Sequence, residues 1–132
     1  MLIACCLLAS CSIPNLEPAE CIQGRDIVRE FYSLHFGNDM TFSNENLEKR
    51  KNYLTPEFYN RLRSGEQLVD PFTRTTDLPK AFRVGECRVD ESEKRVTFNV
   101  LLFWKTDTRS EQRSIQVGVE KVEGRWLVDT VD

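Results

Sequence analysis

The spacing of apolar residues changes near residue 80, and this change does most to limit the possible folds. Before it, apolar residues recur every three or four positions, as in Ile27, Val28, Phe31 and Leu34, which is the period of an amphipathic helix. After it, apolar and polar residues alternate, as over residues 96–104, which is the period of a β-strand. Helices followed by strands predict an α+β domain with helices packed on one face of an antiparallel sheet.

Local end signals divide the first part of the chain into three helices. The first is predicted over residues 25–37 and ends at a glycine. Ser43 can cap a second helix over residues 44–52. The run Thr55-Pro56-Glu57 begins a third helix, with a hydroxyl cap and proline in the first turn, and Ser64-Gly65 ends it.

Four alternating segments follow an irregular loop over residues 66–80. Turn-like stretches at 90–94, 107–110 and 123–124 separate them, so consecutive strands are joined by short connections. This arrangement predicts an antiparallel meander of four strands. The strand over residues 96–104 is apolar on both faces around Leu101 and Phe103, so we expect it to lie in the centre of the sheet.

The first eleven residues carry a different pattern, an apolar run that ends in Leu8-Ala9-Ser10-Cys11. This ending matches the bacterial lipobox, the signal at which the cysteine is acylated and the preceding segment is removed. It predicts a signal segment over residues 1–10, a lipidated Cys11 with a tether over 11–20, and one domain over 21–132. The alternative is a buried N-terminal strand or helix of a cytosolic protein, which would leave the three thiols of this region without metal-ligand spacing.

Two details of the sequence refine the expected cellular location. No lysine or arginine precedes Cys11, although signal segments begin with a basic region, so we expect the true start to lie upstream. Ser12, rather than aspartate, follows the acylated cysteine, which is similar to the outer-membrane default of enteric bacteria. We therefore expect a domain anchored by lipid to the outer membrane and facing the periplasm.

Export would leave Cys21 and Cys87 as an even pair in an oxidising compartment. A disulfide between them would close a loop of about 65 residues and contribute on the order of 4 kcal/mol in the chain-entropy model. The alternative is two unpaired buried thiols. The spacing alone does not decide between them, because a disulfide requires the two Cα atoms to lie within about 7 Å.

Composition excludes some classes of function. The formal net charge of −3, with 30% charged and 40% hydrophobic residues, is that of an ordinary soluble domain. Nucleic-acid binding would need a basic face, and the tract Lys49-Arg50-Lys51 is flanked by Glu45 and Glu48, so we assign it to a solvated helix face. With a single histidine we expect no His-based metal site, and no cofactor is predicted.

His35, the single histidine, lies on the apolar side of the first predicted helix. It is a candidate for a titrating group in a pocket, where it would act as a base. The alternative, which we favour, is a hydrogen-bonded histidine of the core.

The loop over residues 66–80 offers a second candidate set of polar groups. Asp70, Arg74 and Asp77 carry both charges and would face an apolar pocket if the loop lay over its mouth. The alternative, which we favour, is that Asp70 caps a turn before Pro71 and that Phe72 fills the core.

Several of these segments together resemble a known family. They are the lipobox Cys11, Phe31-Tyr32, the stretches 53–58 and 70–79, and the ending 124–129. The chain resembles the nuclear-transport-factor-2-like superfamily, and within it the YbjP-type envelope lipoproteins. The resemblance implies a cone formed by helices against a curved four-stranded sheet. Enzymes of the superfamily use aspartate, tyrosine or histidine inside the cone, whereas the lipoprotein branch has no established activity and supplies no catalytic residues.

We therefore expect a non-enzymatic, lipid-anchored periplasmic domain that binds another envelope protein or a small apolar ligand. One alternative is a small enzyme of the isomerase or dehydratase kind, with His35 or a buried carboxylate as base. Another is an inhibitor or immunity lipoprotein that acts through the loop over residues 66–80.

Overall fold

The computed structural model describes residues 17–90 and 94–132. The predicted signal segment and Cys11 lie outside the described residues. Helices precede strands, as the change of period predicts, and the α+β class is confirmed. The elements are α1 (Ala19–Phe36), α2 (Asn44–Arg50), a 3₁₀ turn (Lys51–Tyr53), α3 (Pro56–Ser64), β1 (Ala81–Val89), β2 (Arg95–Lys105), β3 (Ser110–Val122) and β4 (Arg125–Val131).

The four strands form one antiparallel sheet in the order β1-β2-β3-β4, which is the predicted meander. The β2–β3 pairing has an unbroken register from Arg95 opposite Glu120 to Lys105 opposite Ser110. The register shifts in β1 between Val84 and Cys87, and in the β3–β4 pairing between Gly118 and Val119, where Asp129 is the extra residue of β4. Such irregularities bend a sheet and increase its twist, so they favour the curved face on which the helices pack.

The alternation along β2 divides the sheet into two faces. Val96, Phe98, Val100, Leu102 and Trp104 are buried beneath the helices, where they form the core together with Phe31 and Tyr32 of α1. The residues between them, including Leu101 and Phe103, are only half-buried on the opposite face. The sheet therefore has one covered face and one partly exposed face.

Helix α1 begins at Ala19 rather than at Arg25, so the predicted start was wrong and two residues of the expected tether are helical. Pro18 stands at the N-cap, and Cys21 and Gly24 face the sheet. A Cβ at Gly24 would lie 3.0 Å from side-chain atoms of Phe98 and Val96, so the glycine allows close packing. The large apolar residue of these two turns, Ile22, is exposed, and the residues that face the sheet are small, which hid the turns from the periodicity.

The two shorter helices begin at the predicted caps. The Ser43 hydroxyl accepts a hydrogen bond from Asn46 N at 3.0 Å, and the Thr55 hydroxyl accepts one from Phe58 N at 3.2 Å. Helix α2 ends at Arg50 rather than at residue 52, because the chain tightens into the 3₁₀ turn. Thr55 N also donates to the Val128 carbonyl at 2.9 Å, which fixes the start of α3 to β4.

Asp129 strengthens this junction between α3 and the sheet. Its carboxylate accepts from the Thr55 hydroxyl and from Arg95 Nη1, both at 2.7 Å. Arg95 Nη2 also donates to the Thr130 hydroxyl at 2.9 Å. Arg95 reaches β4 by lying over Gly118, where an added Cβ would come within 2.8 Å of Arg95 Nη2. A larger residue at position 118 would therefore displace the guanidinium.

A disulfide joins α1 to β1. Cys21 and Cys87 are bonded, with their Cα atoms 5.9 Å apart and 66 positions apart in sequence. Near this bond, Arg25 donates to the Val84 and Gly85 carbonyls at the irregularity of β1 and pairs with Glu17. The first turns of α1 are thus attached to the edge strand by one covalent bond and several hydrogen bonds.

Removing the disulfide is expected to lower the free energy of unfolding by about 4 kcal/mol, because the unfolded chain regains the entropy of a long closed loop. The measurement is urea unfolding of residues 12–132 as the oxidised protein and as the Cys21→Ala/Cys87→Ala variant. The reduced parent protein is the control and should match the double variant. Equal midpoints for oxidised and reduced protein would contradict the prediction.

Candidate functional site

Three polar side chains lie in the interior and bind one another in a row. Arg50 is 2% exposed, His35 1% and Asp70 7%. Arg50 Nε donates to His35 Nδ1 at 2.7 Å, and His35 Nε2 lies 2.8 Å from Asp70 Oδ2. A guanidinium nitrogen can only donate, so Nδ1 carries no proton, and Nε2 donates its proton to Asp70. We call this set the Arg50–His35–Asp70 network.

The network joins three separate parts of the chain. His35 lies in the last turn of α1, Arg50 is the last residue of α2, and Asp70 begins the turn within the loop. The remaining guanidinium donors are also used, since Nη1 donates to the Asn46 carbonyl and Nη2 to the Asp39 carbonyl, both at 2.8 Å. Such complete pairing is what allows a charged group to be buried.

Opposing effects act on the charge of Arg50. Burial lowers the pKa of Arg50 from its ordinary value, because desolvation disfavours the cation. The negative charges of Asp70 and Asp39 act in the opposite direction and raise it. The carboxylate of Asp70, although separated from the guanidinium by the imidazole, therefore helps to keep Arg50 charged.

Asp70 also organises the turn that follows it. Its Oδ1 accepts from Phe72 N at 3.2 Å, and its Oδ2 accepts from the Thr73 hydroxyl at 2.9 Å. Asp70 N donates to the Thr75 carbonyl at 3.0 Å, which closes the turn. Phe72 is buried against the rings of Phe31 and His35, with centroid distances of 5.0 Å. This is the arrangement in which Asp70 caps a turn and Phe72 fills the core.

Tyr32 attaches the same turn to α1. Its hydroxyl donates to the Phe72 carbonyl at 2.6 Å, and the side chain is fully buried. Burial raises the pKa of Tyr32 well above its ordinary value, and the negative charge of Asp70 raises it further. The phenol therefore remains a neutral hydrogen-bond donor.

Side chains fill the space around the network. One interior region leaves ≈ 0 Å³ in which a water-sized molecule could fit. It is lined by residues that include His35, Leu47, Arg50, Asp70 and Phe72. Phe31, Phe98 and Trp126 are buried within the cone as well. Both ring nitrogens of His35 are occupied by protein partners, so in this conformation neither is available to a ligand.

Arg74 and Asp77 do not join the network. Arg74 is exposed at the tip of the turn, with φ of 60°, and its backbone N–H donates to the Asp70 carbonyl at 2.7 Å. Asp77 is exposed and pairs with Arg109, which also pairs with Glu111. The structure therefore separates these two charged residues from His35 and Asp70 and places them at the surface.

The burial of Arg50 was not predicted from the sequence. Lys49 and Lys51 are exposed, as expected for a solvated helix face, but Arg50 points inward. The available signal was its position one helical turn after Leu47, a buried residue of the same helix. A charged residue in the register of a core position indicates a buried partner, and here the partners are His35 and Asp70.

Grooves at the surface of the described residues have larger volumes than the interior region around the network. One of ≈ 530 Å³ runs between α2 and α3 and is lined by residues that include Glu45, Tyr59 and Arg63. Another of ≈ 310 Å³ lies beside the loop over residues 66–80 and includes Phe42 and Leu68. Leu68 is 91% exposed, which is unusual for a large apolar side chain.

Two further features of the described residues concern metals and membranes. Glu17, Cys21 and Cys87 bring one potential ligand atom each to within 4.8 Å of one another, but the two sulfurs are bonded to each other and are not free to bind an ion. Among residues 17–90 and 94–132, no helix is both long and apolar enough to cross a membrane.

Comparison with known proteins bears on the fold. No protein-family model matches the sequence, and no curated protein matches it. A protein of unknown function from Bacteroides thetaiotaomicron superposes with a TM-score of 0.54 at 20% identity, over 84% of this chain and 91% of that one. The NTF2-like potential transfer protein TraM of the Gram-positive conjugative plasmid pIP501 gives 0.54 at 17% identity, over 84% and 92%. The chain thus has a nuclear-transport-factor-2-like fold.

The raised pKa of Tyr32 predicts a loss of stability at high pH. Above about pH 10 the unfolded chain releases the phenol proton while the folded chain keeps it. The free energy of unfolding therefore falls as pH rises, by up to about 1.4 kcal/mol per pH unit from this group alone. Tyr32→Phe should remove this part of the slope, although it loses the bond to Phe72 and about 1–3 kcal/mol at neutral pH.

The measurement is chemical unfolding at several values between pH 8 and 11.5. Tyr53→Phe is the matched control, since it removes a phenol from a half-buried ring that packs on Phe31. A Tyr32→Phe slope equal to that of the parent protein would contradict the assignment of the alkaline loss to Tyr32.

Proposed function

We propose that this protein is a non-enzymatic binding domain, anchored by an acylated Cys11 to the outer membrane of a bacterial envelope and facing the periplasm. The observation that carries the non-enzymatic part is the Arg50–His35–Asp70 network, in which the interior polar side chains form hydrogen bonds with one another. The lipobox Leu8-Ala9-Ser10-Cys11 carries the anchored part. The resemblance to YbjP-type lipoproteins supports both parts.

A general base must reach the proton that it removes, either directly or through one water molecule. His35 donates from one ring nitrogen and accepts at the other, and Asp70 accepts from His35, Thr73 and the Phe72 N–H. A substrate would have to displace Arg50 from a filled interior before it met either group. Recognition at the surface needs no such rearrangement.

The surface best placed for recognition is the loop end, which we define as residues 37–42 and 66–80. Helix α1 has 18 residues and is therefore about 27 Å long, and it begins near the tether and ends at the loop end. The groove beside Phe42 and Leu68 thus lies at the opposite end of α1 from its first residue, Ala19. We propose that an apolar segment of another envelope protein binds there and covers Leu68.

The comparisons are compatible with an accessory role. One structural neighbour is a potential transfer protein of a conjugative plasmid, and the other has unknown function. Neither is named for a catalytic activity. At 17–20% identity, these neighbours share a fold with this chain, and the proposal depends on the residues described above.

Metabolic labelling with an acyl-chain analogue tests the anchor. The parent protein, expressed with its native upstream sequence, is expected to take up label and to fractionate with membranes, and Cys11→Ala should lose both. Cys6→Ala is the matched control, because it removes a neighbouring cysteine and should leave the label in place. Labelling that survives Cys11→Ala would contradict the proposed anchor site.

The same membranes test the binding role. After mild crosslinking, a partner captured by the parent protein should be lost with Leu68→Asp and kept with Asn52→Asp, which changes an exposed residue beside Arg125 at the opposite end of the sheet. Capture that is equal for both variants would reject the loop end as the binding surface.

A further inference from the structure

The end of the domain at which α1 begins carries two exposed apolar side chains. Ile22 is 51% exposed and Val89 is 36% exposed, and with Leu68 they are the exposed large apolar residues among residues 17–90 and 94–132. Ile22 follows Cys21 in α1, and Val89 lies two residues after Cys87 in β1. Because the Cα atoms of the two cysteines are 5.9 Å apart, Ile22 and Val89 lie at the same end of the fold.

This end, which we call the tether end, carries charged side chains as well as apolar ones. It comprises the start of α1, the end of β1 at Val89, the start of β2 and the connection between β3 and β4. Lys94, Lys121 and Arg125 are exposed there, as are Glu17, Asp90 and Glu123. A surface with both charges around apolar side chains matches a phospholipid surface, whose headgroups carry phosphate and ammonium groups above the acyl chains.

The length of chain between Cys11 and the fold brings this end close to a membrane. Glu17 is the first described residue and stands six positions after Cys11. Six residues span about 20 Å at most, even when fully extended. If Cys11 carries acyl chains in a bilayer, the start of α1 is therefore held near the headgroups, whereas the loop end lies about 27 Å further along α1.

We propose that the tether end rests on the lipid surface, with Ile22 and Val89 in contact with phospholipid. This inference depends on the proposed acylation of Cys11. The disulfide and the hydrogen bonds of Arg25 hold the two side chains in a fixed relation, so they meet the surface together. The contact restricts rotation of the domain about its tether and turns Leu68 and the loop end towards the periplasm.

Site-specific photocrosslinking in whole cells tests the orientation on the full-length chain. Benzoylphenylalanine is introduced at position 22, 89 or 68, one at a time, and adducts are identified as lipid or protein by mass. We expect lipid adducts at positions 22 and 89 to be at least fivefold more abundant than at position 68. Position 68 is the matched control because Leu68 is also an exposed apolar residue but lies at the opposite end.

Acyl labelling of the same samples separates the two proposals. Equal lipid adducts at all three positions, or protein adducts instead of lipid adducts at 22 and 89, in a chain that is acylated on Cys11, would overturn the orientation and leave the anchor intact. A chain without acyl label would overturn the anchor and the orientation with it. Alkylation of each variant before and after reduction verifies that the Cys21–Cys87 bond has formed.

Discussion

The hydrogen bonds of His35 with Arg50 and Asp70 fix the relative positions of α1, α2 and the loop turn. Helix α2 is short and contributes Leu47 to the core, so much of its attachment depends on Arg50. The turn is held by Asp70 and by the bond from Tyr32 to the Phe72 carbonyl. Removing one partner would leave a charge or polar group buried without compensation, which is far more destabilising than losing an exposed ion pair.

Under the proposed function, the same bonds leave the surface of the domain as the place for recognition. The groups that the sequence offers for acid–base chemistry are directed at one another and at the backbone, and the space between them is filled. The exposed apolar residues lie instead at opposite ends of the domain, with Ile22 and Val89 near the tether and Leu68 at the loop end. In the proposed function, the anchored domain rests on lipid at the first end and meets a partner at the second.

Local signals predicted most of the fold. The strands follow from alternation, and the starts of α2 and α3 follow from Ser43 and Thr55, because caps act within one turn. The start of α1 was missed because Cys21 and Gly24 pack closely without large apolar side chains. The pairing of His35 with Asp70, 35 positions away, is tertiary and leaves no local pattern. Whether the chain is a YbjP-type lipoprotein remains a prediction.

A double-mutant cycle on Arg50 and Asp70 tests the central claim, that the network stabilises the fold by mutual pairing. Arg50→Met and Asp70→Asn should each lower the free energy of unfolding by about 3–5 kcal/mol, since each leaves a buried charge unpaired. The double variant should lose clearly less than the sum, because neither charge remains. Arg113→Met, at an exposed ion pair, is the control, with an expected loss below about 1 kcal/mol. Small, additive losses for both network variants would contradict the account.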